Sequence, residues 1–305
     1  QTTVTHRRRI LLLVHPTRPD AHDLAVAVAV RLAAAGVQPV ALAADIHGTV
    51  LAECDDLEMV DPADPAAGCE LACILGGDGT ILRGAEISRG AGVPLLGVNL
   101  GHVGFLAEAE RAELGETVER IVDRDYEIEE RITLEVTALR GGATVFRSWA
   151  LNEVTVEKAS RERMIELTVE IDGRPLSTWG CDGLVMATPT GSTAYAFSAG
   201  GPVVWPDVEA LLLVPVAAHA LFARPVVVGP NSRLAVEVLP HTDGHAVVWC
   251  DGRRAVDLPT GSRIEVRRAP DPVRLARLSR APFTDRLVEK FDLSIHGWRG
   301  AGRGS

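Results

Sequence analysis

The chain has 305 residues, room for about two domains at roughly 150 residues each, and either is long enough to bury a core of its own. Hydrophobic residues make up 47% and charged residues 24%, close to globular averages, which excludes disordered, collagenous and coiled-coil chains. A formal net charge of −10 disfavours a general polyanion binder such as a DNA- or RNA-binding protein, while leaving room for a local basic cleft around a small phosphorylated ligand.

In chain order, Arg7, Arg8 and Arg9 precede an apolar run over 10–14. That run is too short for a secretory leader and no small-residue cleavage site follows it, so it reads as a first strand. A helix over 20–35 stopped by Gly36, a strand over 37–43, an acidic loop over 54–68, a strand over 71–75, a helix from about 80 to 89 and a strand over 94–99 follow. Strand and helix alternating at this length predict an α/β N-terminal domain with an open, mostly parallel sheet. From about Tyr126 the pattern turns to period two: Leu134, Val136 and Ala138, then Leu234, Val236 and Val238, then Ile264 and Val266 alternate with polar or smaller residues. Asp172-Gly173 and Asp251-Gly252 sit between such runs as hairpin turns, because glycine takes positive φ without a Cβ clash. The expected organisation is an α/β domain over 1–125 and a β-rich C-terminal domain over 126–279. A last helix over 283–291, within a segment 280–300 expected to pack back on the first domain, leads into a frayed glycine-rich tail over 297–305. The apolar stretch 210–223 is broken by Pro215 and His219, so no segment reads as membrane-spanning and a cytoplasmic location is expected.

Several chemistries fall away. Lys158 and Lys290 are the only lysines, and neither completes a Walker A motif; the protein-kinase tripeptides His-Arg-Asp and Asp-Phe-Gly are also absent. Cys54, Cys69, Cys73, Cys181 and Cys250 are odd in number and lack Cys-x-x-Cys spacing, so they read as buried or half-buried thiols. His241 and His245 lie in a Pro- and Gly-bounded loop, where i, i+4 spacing does not bring two imidazoles to one metal. Ser198 lacks the glycine two residues earlier that a nucleophile elbow needs.

Three stretches carry chemistry. Gly76-Gly77-Asp78-Gly79-Thr80 follows a strand and opens a helix: glycines bring amides close to an anion, the helix N-terminus adds partial positive charge, Thr80 is expected to cap the helix, and Arg83 one turn in faces the same anion. A carboxylate among phosphate-facing amides repels the ligand unless it binds a metal or accepts a proton, which singles out Asp78. The run from Gly97 to Leu106, Gly-Val-Asn-Leu-Gly-His-Val-Gly-Phe-Leu, follows the next strand. In an open parallel sheet the ends of neighbouring strands share a crevice, which places this loop beside Asp78. In the β-rich half, Asn152-Glu153, Asp182-Gly183 and the hydroxyl- and glycine-rich segment from Thr188 to Pro202 suit a loop whose polar groups bind a ribose or amide while Tyr195 stacks on a planar base.

Taken together, Gly-Gly-Asp-Gly-Thr, the run from Gly97, Asn152-Glu153 and Thr-Pro-Thr-Gly-Ser-Thr-Ala-Tyr from Thr188 resemble the bacterial NAD kinases over nearly the whole chain and in the same order. Gly-Gly-Asp-Gly-Thr alone is shared with lipid and sphingoid-base kinases, an alternative that the later motifs distinguish; a non-catalytic dinucleotide sensor is the other alternative. The resemblance implies a homodimer or homotetramer that uses ATP, or polyphosphate, with a divalent metal (Mg²⁺ or Mn²⁺) to phosphorylate the 2′-hydroxyl of the adenosine ribose of NAD. It implies Asp78 as proton acceptor, with Gly76, Gly77, Gly79, Thr80 and Arg83 toward phosphate. The dinucleotide would be held by Asp78, Gly79, Arg83, Asn152, Glu153, Asp182, Thr193, Ala194, Tyr195, Ala196, Phe197, Ser198 and Arg253. Ala187 stands where many members have serine, and His102 where members often have arginine; the second change bears on phosphate-donor preference.

Overall fold

A computed structural model describes residues 7–60, 63–101, 104–160, 164–240, 245–278 and 282–295. The chain divides into two compact units, one formed by residues 131–272 and the other by the segments on either side.

The first unit carries β1 (Arg9–Val14), α1 (Pro19–Ala34), β2 (Gln38–Leu42), α2 (Ala43–Ile46), β3 (Glu58–Val60) and β4 (Leu71–Leu75). It continues through α3 (Asp78–Ser88), β5 (Leu95–Asn99), β6 (Ala109–Glu110), α4 (Leu114–Asp123) and β7 (Glu127–Arg131). The second unit supplies β8 (Leu134–Arg140), β9 (Ala143–Ala150), β10 (Glu153–Lys158), β11 (Ile165–Ile171), β12 (Arg174–Cys181) and β13 (Gly183–Ala187). After α5 (Tyr195–Ser198) come β14 (Leu211–Val216), β15 (Val226–Val228), β16 (Leu234–Val238), β17 (Ala246–Cys250), β18 (Arg254–Leu258) and β19 (Arg263–Arg268). The chain then returns to the first unit with β20 (Val273–Arg277) and α6 (Phe283–Phe291).

In the first unit the strands run β3-β2-β1-β4-β5-β20-β7, with β6 paired to β5. β1 pairs in parallel with β2 and β4, and β5 in parallel with β4, β6 and β20. Unbroken burial of β4 and β5 marks a sheet covered on both faces. Ile10, Leu12 and Val14 share a core with Ala25, Val28 and Leu32 of α1 and Val118 and Ile121 of α4. On α3, a Cβ at Gly84 would meet the Ile74 side chain at 2.2 Å, so the absence of a side chain lets that helix lie close to the strand. β20 falls outside the expectation that the β-rich half extends to residue 279: it pairs with β5, because pairing over so long a sequence separation leaves no local mark. α6 packs within the same unit: Phe283 and Phe291 each lie 5.8 Å, ring centre to ring centre, from Phe105, and Arg286 reaches Glu108.

The second unit has two six-stranded sheets, β15-β14-β13-β10-β17-β18 and β12-β11-β16-β19-β8-β9, paired antiparallel. Their alternating apolar residues, among them Val136, Val154, Leu167, Leu184, Val236 and Val248, fill one shared core, as expected of a sandwich. Both Asp-Gly pairs make hairpins in which both residues are left-handed, with φ of 53° and 76° at Asp172-Gly173 and 53° and 62° at Asp251-Gly252. All five cysteines are free; burial pushes the Cys73 and Cys181 thiols up to about 12. Among the described residues no helix is long and apolar enough to cross a membrane. His241, His102 and the tail over 297–305 lie outside the described residues.

Candidate functional site

In the first unit the buried strand β4 delivers the chain through Gly76 and Gly77 into α3. A Cβ at Gly76 would stand 2.4 Å from the Thr80 hydroxyl, so only glycine fits beneath the first turn of the helix. Thr80 does not cap: Gly77 is the N-cap, without a side-chain bond, and Asp78 takes the first helical position. The helix therefore begins two residues earlier than the sequence suggests, with an acidic residue at the positive end of its dipole. Thr80 is buried, while Gly79 is exposed.

The Asp78 carboxylate is half-buried and is held by the loop after β5. The Phe105 amide donates to Oδ2 at 3.1 Å and the Leu106 amide to Oδ1 at 3.2 Å. Gly104 makes this approach possible, since a Cβ there would fall 2.3 Å from Oδ1. The two glycine-rich stretches thus meet at one carboxylate. Each oxygen has a second lone pair, so Asp78 is fixed in place and can still accept a proton. Arg83, one turn along α3, pairs with Asp45 on α2 at 2.5 Å; in this structure its guanidinium neutralises a carboxylate and does not stand open to an anion.

The second cluster lies on the outer face of the β10-containing sheet. Val154 and Val156 enter the core, so Glu153, Thr155 and Glu157 point the other way. Beside them, Val185, Ala187, Leu212 and Val214 form a small apolar patch covered by Ala196 of α5. The segment before α5 is pinned by its own hydroxyls. Thr188 donates to the Leu151 carbonyl at 2.5 Å and accepts from the Gly191 amide. The Ser192 hydroxyl donates to the Pro189 carbonyl at 2.7 Å and accepts from the Val204 amide. Gly191 is required by close approach, because a Cβ would sit 2.0 Å from the Asn152 carbonyl oxygen. These hydroxyls hold the loop shape, leaving Thr193 and Ala194 half-buried and Tyr195, Phe197 and Ser198 exposed.

Glu153, Thr155, Glu157, Tyr195, Trp249 and Gly252 line a pocket of about 260 Å³. Glu153 is only 8% exposed. Burial, and then the charge of Asp251, push its carboxyl up to about 8, against the pull of a hydrogen bond from the Tyr195 amide. Two polar atoms at this pocket, Glu153 Oε2 and Thr155 Oγ1, are buried with no hydrogen-bond partner, as expected of groups that await a ligand. Asn152 is buried beside Glu153. Asp182 pairs with Lys158 at 2.6 Å, and Arg253 is exposed on the β17–β18 hairpin. Sequence reasoning passed over Thr155, Glu157 and Trp249; the alternation along β10 and β17 was the signal, since polar or aromatic residues facing away from the core share one surface.

Among the described residues no group of three or more His, Cys, Asp or Glu side chains could hold a metal ion, and both Asp78 oxygens already accept amides. The described side chains do not form a cage for a divalent cation.

The chain is similar to known proteins over most of its length. Residues 10–126 match the ATP-NAD kinase N-terminal domain and residues 151–278 the ATP-NAD kinase C-terminal domain. An NAD kinase of Thermobifida fusca is 59% identical over 304 residues, covering 97% of this chain and 93% of that protein. An NAD kinase of Mycobacterium tuberculosis is 51% identical, covering 97% and 100%. Among solved structures, an NAD kinase from Archaeoglobus fulgidus in complex with ATP superimposes with a TM-score of 0.70 at 25% identity, covering 94% of this chain and 100% of that one. Yeast NADH kinase complexed with NADH superimposes with a TM-score of 0.85 at 23% identity, covering 95% and 89%.

Proposed function

The chain belongs to the NAD kinase family, and from that premise we propose that it transfers the γ-phosphoryl group of ATP, or of polyphosphate, to the 2′-hydroxyl of the adenosine ribose of NAD, giving NADP. The observation that carries this reading is Asp78, a carboxylate fixed by two backbone amides at the N-terminus of a helix. A ribose hydroxyl is a poor nucleophile and the phosphoryl transition state is loose, so catalysis rests on positioning, on neutralising charge and on one base that takes the hydroxyl proton. Asp78 is that base. Amides at the start of α3, with Gly76, Gly77, Gly79 and Thr80, face the transferred phosphate; Arg83 joins them on exchanging its Asp45 partner for the anion. Asn152, Glu153, Asp182, the segment from Thr193 to Ser198 and Arg253 hold the dinucleotide, with Tyr195 against a planar ring. The divalent cation arrives with the nucleoside triphosphate, as part of the substrate. The protein works in the cytoplasm as a homodimer or homotetramer assembled through the β-rich unit, whose sheet edges need cover.

The test is a coupled assay: purified chain, magnesium, NAD and either ATP or polyphosphate, with NADP read by a strictly NADP-dependent dehydrogenase. NADP formation is the expected result. Measured NAD binding without turnover would replace the kinase reading with that of a dinucleotide sensor.

A further inference from the structure

Asp251 is a carboxylate for which the proposed reaction has no use, yet it is only 6% exposed. It occupies the first position of the β17–β18 turn with φ 53°, a conformation that asparagine or glycine takes equally well. The turn therefore does not call for a charge. The carboxylate instead accepts from three consecutive amides: Leu151 at 2.8 Å on Oδ2, and Asn152 at 2.7 Å and Glu153 at 3.2 Å on Oδ1. Those amides belong to the backbone that enters β10 and carries the Asn152 and Glu153 side chains. Arg254 backs the arrangement. Its guanidinium lies 3.4 Å from Asp251 Oδ2, donates to the Trp149 carbonyl at 2.5 Å and sits over the Trp149 ring at 4.8 Å.

On resting on the reading of this chain as an NAD kinase, we propose that Asp251 is a positioning residue of the dinucleotide pocket: it clamps the backbone of residues 151–153 and holds the Glu153 carboxyl there as a hydrogen-bond donor to an acceptor atom of the ligand. One Glu153 oxygen takes the Tyr195 amide and the other, Oε2, is buried and unpartnered, so the group has one direction left in which to bond. The charged and titratable groups facing it are Asp251 from the hairpin, Glu157 along its own strand and Tyr195 from α5; the residue opposite on β13 is Ala187. Burial raises Asp251 as well, against the pull of three amides and a guanidinium; because a single amide faces Glu153, Asp251 is the carboxyl of the two that keeps the charge. Burial beside that charge pushes Glu153 up to about 8, which leaves it protonated at neutral pH and able to donate.

The dissociation constant for NAD, measured by calorimetry between pH 6 and 9.5, tests this. In the wild-type protein affinity should hold up to about pH 8 and then fall by roughly tenfold per pH unit as the donor is lost. Glu153→Gln cannot ionise and should abolish that limb. Asp251→Asn should weaken NAD binding roughly tenfold or more, since an amide nitrogen then confronts buried N–H groups, and should move the limb to lower pH because the neighbouring charge is gone. ATP affinity should stay within about twofold of wild type. Wild-type affinity that is flat across the range, a limb that survives in Glu153→Gln, or Asp251→Asn with native affinity and profile would each overturn the proposal. If Asp251→Asn does not fold, the first two comparisons decide. NADP formation by the wild-type protein is recorded alongside: NAD binding with the expected profile but no NADP would contradict the kinase reading alone, and absence of NAD binding would overturn both.

Discussion

Replacing Gly104 with alanine probes the seat of Asp78 without touching the carboxylate itself. The added methyl carbon would stand 2.3 Å from Oδ1, 2.9 Å from Cγ and 3.1 Å from Oδ2, so the Asp78 side chain must turn away from the amides of Phe105 and Leu106. Each of those is a hydrogen bond to a charged group, a class worth about 1.5–3 kcal/mol. Their loss is offset only in part by the roughly 0.4–1 kcal/mol gained when alanine restricts the unfolded chain. A base displaced by even ~1 Å costs about 10² in rate. Gly104→Ala should therefore lower the turnover number by about 10² and reduce the melting temperature by several degrees, while the Michaelis constant for NAD changes only a few-fold. Steady-state kinetics with NAD and ATP, paired with a thermal melt, measure both. Wild-type turnover in a folded Gly104→Ala protein would show that the position of Asp78 does not govern catalysis.

Three further outcomes are expected. Tyr195→Ala, which removes a half-exposed ring beside the pocket, should weaken NAD binding by about 1–3 kcal/mol and raise the Michaelis constant for NAD more than that for ATP; equal small effects with a lower melting temperature would return the ring to a packing role. Gly191→Ala, whose Cβ would sit 2.0 Å from the Asn152 carbonyl oxygen, should disrupt the loop from Thr188 and abolish measurable NAD binding, and calorimetry that finds native affinity would refute the close approach. Glu70, bonded first of all to Arg8 and also to Arg124 and Tyr126, is held down to about 2 from an ordinary value near 4.5. Its contribution to stability is thus present above that ordinary value and is lost as pH falls from about 4.5 toward 2; chemical denaturation of Glu70→Gln across this range should show a flatter acid limb than wild type.

Local patterns reported the elements well wherever the determinants were local. The period-two runs, both Asp-Gly hairpins and the helix over 283–291 all appear in the structure, because alternation, turn chemistry and amphipathic spacing act over a few residues. β20 was invisible for the opposite reason: its place beside β5 depends on the pairing of Leu275 with Leu95, 180 residues earlier. The start of α3 was misjudged because Thr80 reads as an N-cap, whereas Gly77 takes that position without a side-chain bond and the helix begins at Asp78. The two hairpins give the sharpest contrast. Asp172 and Asp251 both precede glycine with left-handed backbone in a hairpin turn, but Asp172 accepts from Arg233 and Ser232 at the surface, while Asp251 is buried against three amides. Nothing in the dipeptide separates the two, since the difference lies in what the fold brings against them.

The most direct test of the central claim is the turnover number of Asp78→Asn, at saturating NAD and ATP, relative to the wild-type protein. Asparagine keeps the size of the side chain and an oxygen for one of the two amides that Asp78 accepts from, Phe105 or Leu106, but it turns an NH2 toward the other and cannot take a proton. Turnover should fall by at least about 10², with NAD affinity changing far less, because what is lost is an interaction of the transition state. Turnover within a few-fold of wild type would make Asp78 a turn residue only and send the search for the base to Glu153 or Asp182.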